Sequence, residues 1–265
     1  MIVLPTERKK AENYNPSLLV LFGKPKSGKS TLMAALDSNL IIDLENGYRA
    51  LSVMDIQVRS AEQMFEAAKA IEIENTKVGK FAYRFITIDN ATRLEEMSLP
   101  YAAHLYRSTA MGQGWGFLKD TTGKPVKDKF GKSVPDPKAD VRLLPNGAGY
   151  LYLRQAVRKM IDMFRPLCET LILVAHVKDK QIKKEGEELS EMSVDLAGKL
   201  GDIICGEADA IGYIYREGKK TFISFEGGDN TIREARPLHL RGKKIQVAES
   251  DADNDVKVDM SKIFI

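Results

Sequence analysis

A chain of 265 residues, 43% hydrophobic and 29% charged, has apolar material for a sizeable core and charge for a well-solvated surface. Its net charge of +3 is only mildly basic, which neither demands nor excludes nucleic acid as a partner. No apolar run approaches the roughly 18 residues that a membrane span needs, the start MIVLPTERKKAENYNP has no signal-peptide layout, and no internal repeat stands out. Cys168 and Cys205 sit in apolar surroundings without metal spacing, so they read as reduced core thiols of a cytoplasmic protein.

In chain order, residues 1–16 are a polar lead-in, and the apolar run 18–22 reads as a buried strand. It opens directly into Gly23, Lys24, Pro25, Lys26, Ser27, Gly28, Lys29, Ser30 and Thr31. That stretch completes G-x-x-x-x-G-K-[ST], the pattern of a phosphate-binding P-loop, between a strand and a helix over 29–36. The two glycines free the backbone so that its N–H groups can turn toward a polyphosphate, aided by the positive end of the helix. Lys29 suits the β- and γ-phosphates, and the Ser30 hydroxyl suits Mg²⁺. A second buried strand, 40–43, ends in Asp43 and Glu45 before the Asn46-Gly47 break.

Met64, Ala67, Ala68 and Ile71 recur at helical spacing and predict an amphipathic helix over 61–72. The strand 85–89 ends at Asp89 in the manner of a Walker B segment, expected beside the P-loop strand with its carboxylate near Mg²⁺. A helix follows over 93–104. Periodicity then stops: residues 107–149 are an insertion rich in glycine, proline and charge, with seven basic and four acidic residues between 119 and 142 and with Trp115, Phe117 and Phe130 interleaved. A helix over 150–167 precedes a buried strand, 170–175, ending at His176 and opening into a second charged loop. A short helix over 197–205, strands 210–215 and 221–225, a last hairpin near Gly242 and a solvated acidic segment complete the chain. Alternating strands and helices followed by strands alone imply an α/β fold, one domain over 1–265 with a mostly parallel central sheet and an antiparallel C-terminal edge. Ligands of such sheets bind at the carboxyl ends of the strands, where the P-loop, Glu45, Asp89 and His176 all fall.

These groups suit ATP hydrolysis: Gly23 to Thr31 as the phosphate cradle, Ser30 and Asp89 for Mg²⁺, and Glu45 to orient or deprotonate water. His176 is either a satisfied, partly buried histidine or a sensor of the γ-phosphate. A small-molecule kinase and a nucleotide-binding loader or accessory module are the alternatives, although no arginine-bearing lid of a kinase is visible.

The order GKPKSGKST, IIDLE (41–45), FITID (85–89) and LILVAH (171–176) resembles the core of RecA-like ATPases. More narrowly, PKSGKST, IDLENGYRAL, VAH, DLAGKLGD and REARPLHLRGKKI resemble the small phage-encoded RecA-like proteins of single-strand annealing and recombination. The resemblance implies a RecA-like fold, with Glu45 as catalytic base and Asp89 in the Walker B role; His176 stands where RecA carries a glutamine. It also implies an oligomer, ring or filament, whose sites are completed by a neighbour's cation, assigned here to Arg236 in preference to Arg233, Lys219 or Lys220. Single-stranded DNA is the implied partner, together with a single-strand-binding protein. It would be held by two loops, 112–142 and 178–193, through Trp115, Phe117, Lys124, Lys127, Lys129, Lys132, Lys180, Lys183 and Lys184.

Overall fold

The computed structural model describes residues 4, 6–8, 10–184, 187–228, 230–252 and 255–265; the side chains of 180, 182–184 and 187–189 also lie outside the description. The apolar run after the lead-in forms β1, Leu18–Gly23, buried at every position. A strand buried on both faces needs cover on both. Leu18, Val20 and Phe22 enter one apolar cluster, and Leu19 and Leu21 enter the other.

Beside β1 run β5, Thr170–Lys184, and β7, Ala210–Glu217. Beyond β5 come β4, Phe85–Asp89, then β2, Asn39–Asp43, and the edge strand β3, Met54–Gln57. All six are parallel, in the order β7-β1-β5-β4-β2-β3. Past β7 the sheet continues antiparallel through β8, Lys220–Ser224, β10, Lys244–Ser250, and β11, Val256–Val258; the short β9, Glu234–Ala235, also pairs with β7. The expected α/β class is therefore found, with a mostly parallel sheet and an antiparallel C-terminal edge.

The helices are α1, Lys29–Ala34, α2, Ala61–Val78, α3, Ala91–Arg107, α4, Gly149–Asp162, and α5, Leu200–Glu207. The larger cluster joins Met64 of α2, Leu94 of α3, Leu153 and Met160 of α4 and Ile204 of α5 to one face of the sheet. On the other face, Leu32 and Met33 of α1 pack with Leu240, Ile263 and Phe264. Ser60 and Asn90 cap α2 and α3 by accepting hydrogen bonds from the backbone N–H groups of Gln63 and Arg93. Burial pushes the Cys168 and Cys205 thiols up to about 12, as expected for inert core thiols.

Several expectations need correction. The Walker B strand β4 does not lie beside β1, because β5 is inserted between them. The second charged stretch is not simply a loop: β5 runs on past His176 to Lys184 and pairs antiparallel with β6, Glu187–Val194, in a two-stranded ribbon. A strand as charged as this needs no core when a partner strand satisfies its backbone. The acidic C-terminal segment is largely exposed, as expected, and its flanks pair antiparallel as parts of β10 and β11.

The insertion contains a repeat that composition hides. Leu118–Pro125, Val126–Ser133 and Val134–Val141 are three octads, LKDTTGKP, VKDKFGKS and VPDPKADV. The backbone N–H of Leu118 donates to Val134 O (2.9 Å), that of Val134 to Val126 O (2.9 Å) and that of Val126 to Leu118 O (2.8 Å), closing a ring of three. Asp120, Asp128 and Asp136 each turn a carboxylate oxygen back onto the N–H two residues on, at 2.8–2.9 Å. Such Asx turns shape a compact segment without a large core. Trp115 anchors it, packed edge-on against Tyr106 with ring centres 5.2 Å apart.

Arg236 is far from the nucleotide end of the sheet. Its guanidinium binds the Asp209 carboxylate (3.4 Å) and Gly206 O (2.9 Å), and Asp209 precedes β7 where Ser17 precedes β1. Burial pushes Asp209 up, but donors from Ser17, Leu18 and Arg236 outweigh it and hold the carboxyl below the usual range. Within one chain, Arg236 therefore ties down the amino ends of the strands. Arg233 donates to Ser224 and Thr231.

Candidate functional site

A cleft of about 440 Å³ opens at the carboxyl ends of the parallel strands. Pro25, Lys26 and Gly28 to Thr31 form one wall; Asp43, Glu45, Tyr48, Asp89, Asn90 and His176 form the other, and Arg216 closes one end. The residues that the sequence assigns to nucleotide chemistry thus meet in one place. Those assigned to DNA do not: Trp115 and Phe117 are half-buried in the insertion, and Lys124, Lys127, Lys129 and Lys132 are exposed there. The side chains of Lys180, Lys183 and Lys184 lie outside the described residues.

The loop's glycines serve different ends. Gly28 has φ +98°, which favours glycine, and leads into α1. Gly23 is excluded from other side chains by proximity, since a Cβ there would come 2.5 Å from Ile214 O. Lys29 is only 7% exposed and folds back on its own loop, donating to Gly23 O (3.0 Å) and Lys24 O (2.8 Å). Burial pushes its ammonium below the usual lysine value, while Asp89 and Glu45 pull it back up.

Two carboxylates divide the work at the end of β2. Asp43 is buried, and its Oδ1 accepts from the N–H groups of Glu45 (2.9 Å), Asn46 (2.6 Å) and Gly47 (3.3 Å). It shapes the turn that carries Glu45, whose side chain is exposed on the rim of the cleft. The backbone of Asn46 is left-handed at φ +66°, which asparagine tolerates.

Tyr48, which sequence reasoning missed, lies at the centre of this wall. It is 3% exposed, its hydroxyl donates to Asp89 Oδ2 at 2.6 Å, and the Ser30 hydroxyl lies against it. Burial, then the nearby Asp89 charge, pushes the phenol well above its ordinary value, so it stays a neutral donor. Asn90 was missed too: it caps α3 and places its Nδ2 3.1 Å from His176 Nε2. His176 Nδ1, Ser27 Oγ and Asp43 Oδ2 are buried polar atoms without hydrogen-bond partners. Unmet polar atoms around a cleft fit a polar occupant, and the Ser30 hydroxyl with the Asp89 carboxylate is a hard-oxygen set suited to Mg²⁺.

Burial pushes the Asp89 carboxyl above its ordinary value; the Tyr48 hydroxyl and the Lys29 ammonium partly offset this. Ionising Asp89 therefore works against the metal-free fold. That handicap is absent below the usual value of 3.8 and grows as pH rises toward the folded value. Tyr48→Phe removes the neutral donor. In urea titrations without metal, the variant should lose ~1.5–3 kcal/mol of unfolding free energy at neutral pH, with the gap narrowing as pH falls toward about 4. A gap that widens in acid would show that Tyr48 serves some other group.

One comparison, with protein-family models, agrees with this geometry. A family model described as AAA domain (AAA_24) matches residues 15–128 and 132–237, breaking only within the insertion. No curated protein is similar in sequence. Among solved structures, the KaiC-like protein PH0186 from the hyperthermophilic archaeon Pyrococcus horikoshii OT3 is similar over 93% of this chain and 91% of its own, with 11% identity and a TM-score of 0.42. With its P-loop, its acidic wall and a family match spanning most of its length, the chain belongs to the AAA domain family.

Proposed function

We propose that the protein is a RecA-like, Mg²⁺-dependent ATPase that assembles on single-stranded DNA and promotes annealing or strand exchange. The observation that carries the ATPase reading is the convergence of Lys29, Ser30, Glu45, Asp89 and His176 on one cleft. Mg²⁺ bound there neutralises charge on the phosphates and polarises the bond to be broken. Ser30 and Asp89 would hold it, and Tyr48 keeps the Asp89 carboxylate turned toward Ser30.

The other roles belong to the chain's own groups. Lys29 exchanges its two loop carbonyls for phosphate oxygens. Glu45, on a turn set by Asp43, orients and deprotonates the attacking water. His176 responds to the end of the nucleotide through its bond with Asn90. Because β5 continues from His176 straight into the 177–194 ribbon, a change at the histidine passes directly to that ribbon.

The DNA reading rests on charge and display. Lys124, Lys127, Lys129 and Lys132 project from the octads, and their carboxylate neighbours Asp120 and Asp128 are bent back into turns. Phe130 is 75% exposed with the Lys129 ammonium 5.1 Å from its ring centre, an arrangement suited to a base and its phosphate. Trp115 and Phe117 act differently from expectation: Trp115 packs against Tyr106, and Phe117 lies under Arg107, 5.5 Å away. They support the platform and leave stacking to Phe130. An oligomer, ring or filament, in which a neighbour's cation completes each site, is part of the proposal because the RecA-like resemblance implies it.

Glu45→Gln should lower steady ATP turnover by ~10²–10⁴-fold and leave nucleotide binding intact; turnover at the wild-type rate would remove Glu45 from the role of base. Fluorescence anisotropy with labelled oligonucleotides should show binding that prefers single strands to duplex and weakens steeply with salt. Replacing Lys127, Lys129 and Lys132 with glutamine should weaken it further. Absence of binding at low salt, with and without a non-hydrolysable ATP analogue, would favour an accessory module that uses nucleotide without DNA.

A further inference from the structure

Arg216 has no role in any reading above, yet it stands at the mouth of the cleft. β7 runs parallel to β1 with Ile214 level with Gly23, and Arg216 lies two residues further along. Side chains two apart on a strand share a face. Ile214 packs with Leu32 and Met33 of α1, so Arg216 is delivered to the same side, above the P-loop. A Cβ built on Gly28 would meet its Nη2 at 3.4 Å and its Nε at 3.7 Å. The guanidinium thus lies across the backbone of the loop that cradles phosphate.

Its charge is uncommitted. Among the described residues no carboxylate pairs with Arg216, and the adjacent Glu217 is engaged by Lys244 at 2.6 Å. An exposed arginine, with five donors in a planar fork and no acidic partner, beside a phosphate loop is suited to bidentate phosphate contact. Its position also says which phosphates. Glu45, Asp89 and His176 arrive on β2, β4 and β5, all on one flank of β1; Arg216 arrives on β7, the other flank. The hydrolytic and metal-binding groups occupy the γ end, so the β7 flank faces the part of the nucleotide common to substrate and product.

We propose that Arg216 is a nucleotide-binding residue that clasps the α- and β-phosphates of the bound nucleoside polyphosphate from the β7 side. This rests on the nucleotide reading of the P-loop and adds to it a contact made equally to ATP and ADP.

The test is a titration of wild type, Arg216→Gln and Arg216→Lys with ADP and with a non-hydrolysable ATP analogue, in Mg²⁺. The side chain is exposed, so both variants should fold, and circular dichroism melts check this. Arg216→Gln should weaken both ligands by a similar factor of about tenfold or more, and Arg216→Lys should recover part of the loss. Unchanged affinity for both ligands overturns the proposal. So does a loss confined to the ATP analogue, which would place the guanidinium at the γ-phosphate. If wild type itself binds neither ligand, the nucleotide reading fails before Arg216 is tested.

Discussion

A buried ammonium governs this molecule. Lys29 is almost fully enclosed, and an enclosed charge is costly unless other groups answer it. Two carbonyls of its own loop, the Asp89 carboxylate and the nearby Glu45 do so. The arrangement requires strands from distant parts of the chain to end within about two residues of one another. Parallel pairing does this: Gly23 is level with His176, Asp89 with Val174, and Asp43 with Asp89. The loops that leave those ends meet in one cleft, where the charges compensate one another.

Tyr48 is the hinge of this balance. One buried hydroxyl touches both oxygen groups that suit a metal, and its high pKa keeps it a donor at any ordinary pH. It holds Asp89 in place before any ligand arrives, which limits the reorganisation left to do on binding. Asp43 does the same for the Glu45 turn, and Asn90 for the His176 ring. Each member of the acidic wall is thus positioned by a residue that does no chemistry itself.

The parts legible in sequence were those whose pattern is local. The P-loop declares itself through four specified residues in an eight-residue pattern after an apolar run, and Asp89 through the strand it ends. Tyr48 was invisible because its partner lies 41 residues away on a strand that only the fold brings near. Strand order was misjudged because periodicity shows that a strand exists, not which neighbour it takes; β5, far along the chain, enters between β1 and β4. The octads escape notice because the apolar position they share, Leu118, Val126 or Val134, recurs with a period of eight that is neither helical nor extended. The ribbon of β5 and β6 reads as loop because its strands are mostly charged and polar, with no period-two pattern of apolar residues. The place of Arg236 after the last strands shows in the sequence; that it lies at the opposite end of the sheet from its own cleft, bound to Asp209, does not.

The most direct measurement is a crystal structure with Mg²⁺ and a non-hydrolysable ATP analogue. The account predicts the triphosphate seated over residues 23–30, Lys29 released from Gly23 O and Lys24 O onto phosphate, and the metal between Ser30 Oγ and the Asp89 carboxylate with Glu45 facing the γ-phosphate. A nucleotide bound elsewhere, or a metal bound without Asp89 while Lys29 stays on its loop carbonyls, would contradict it.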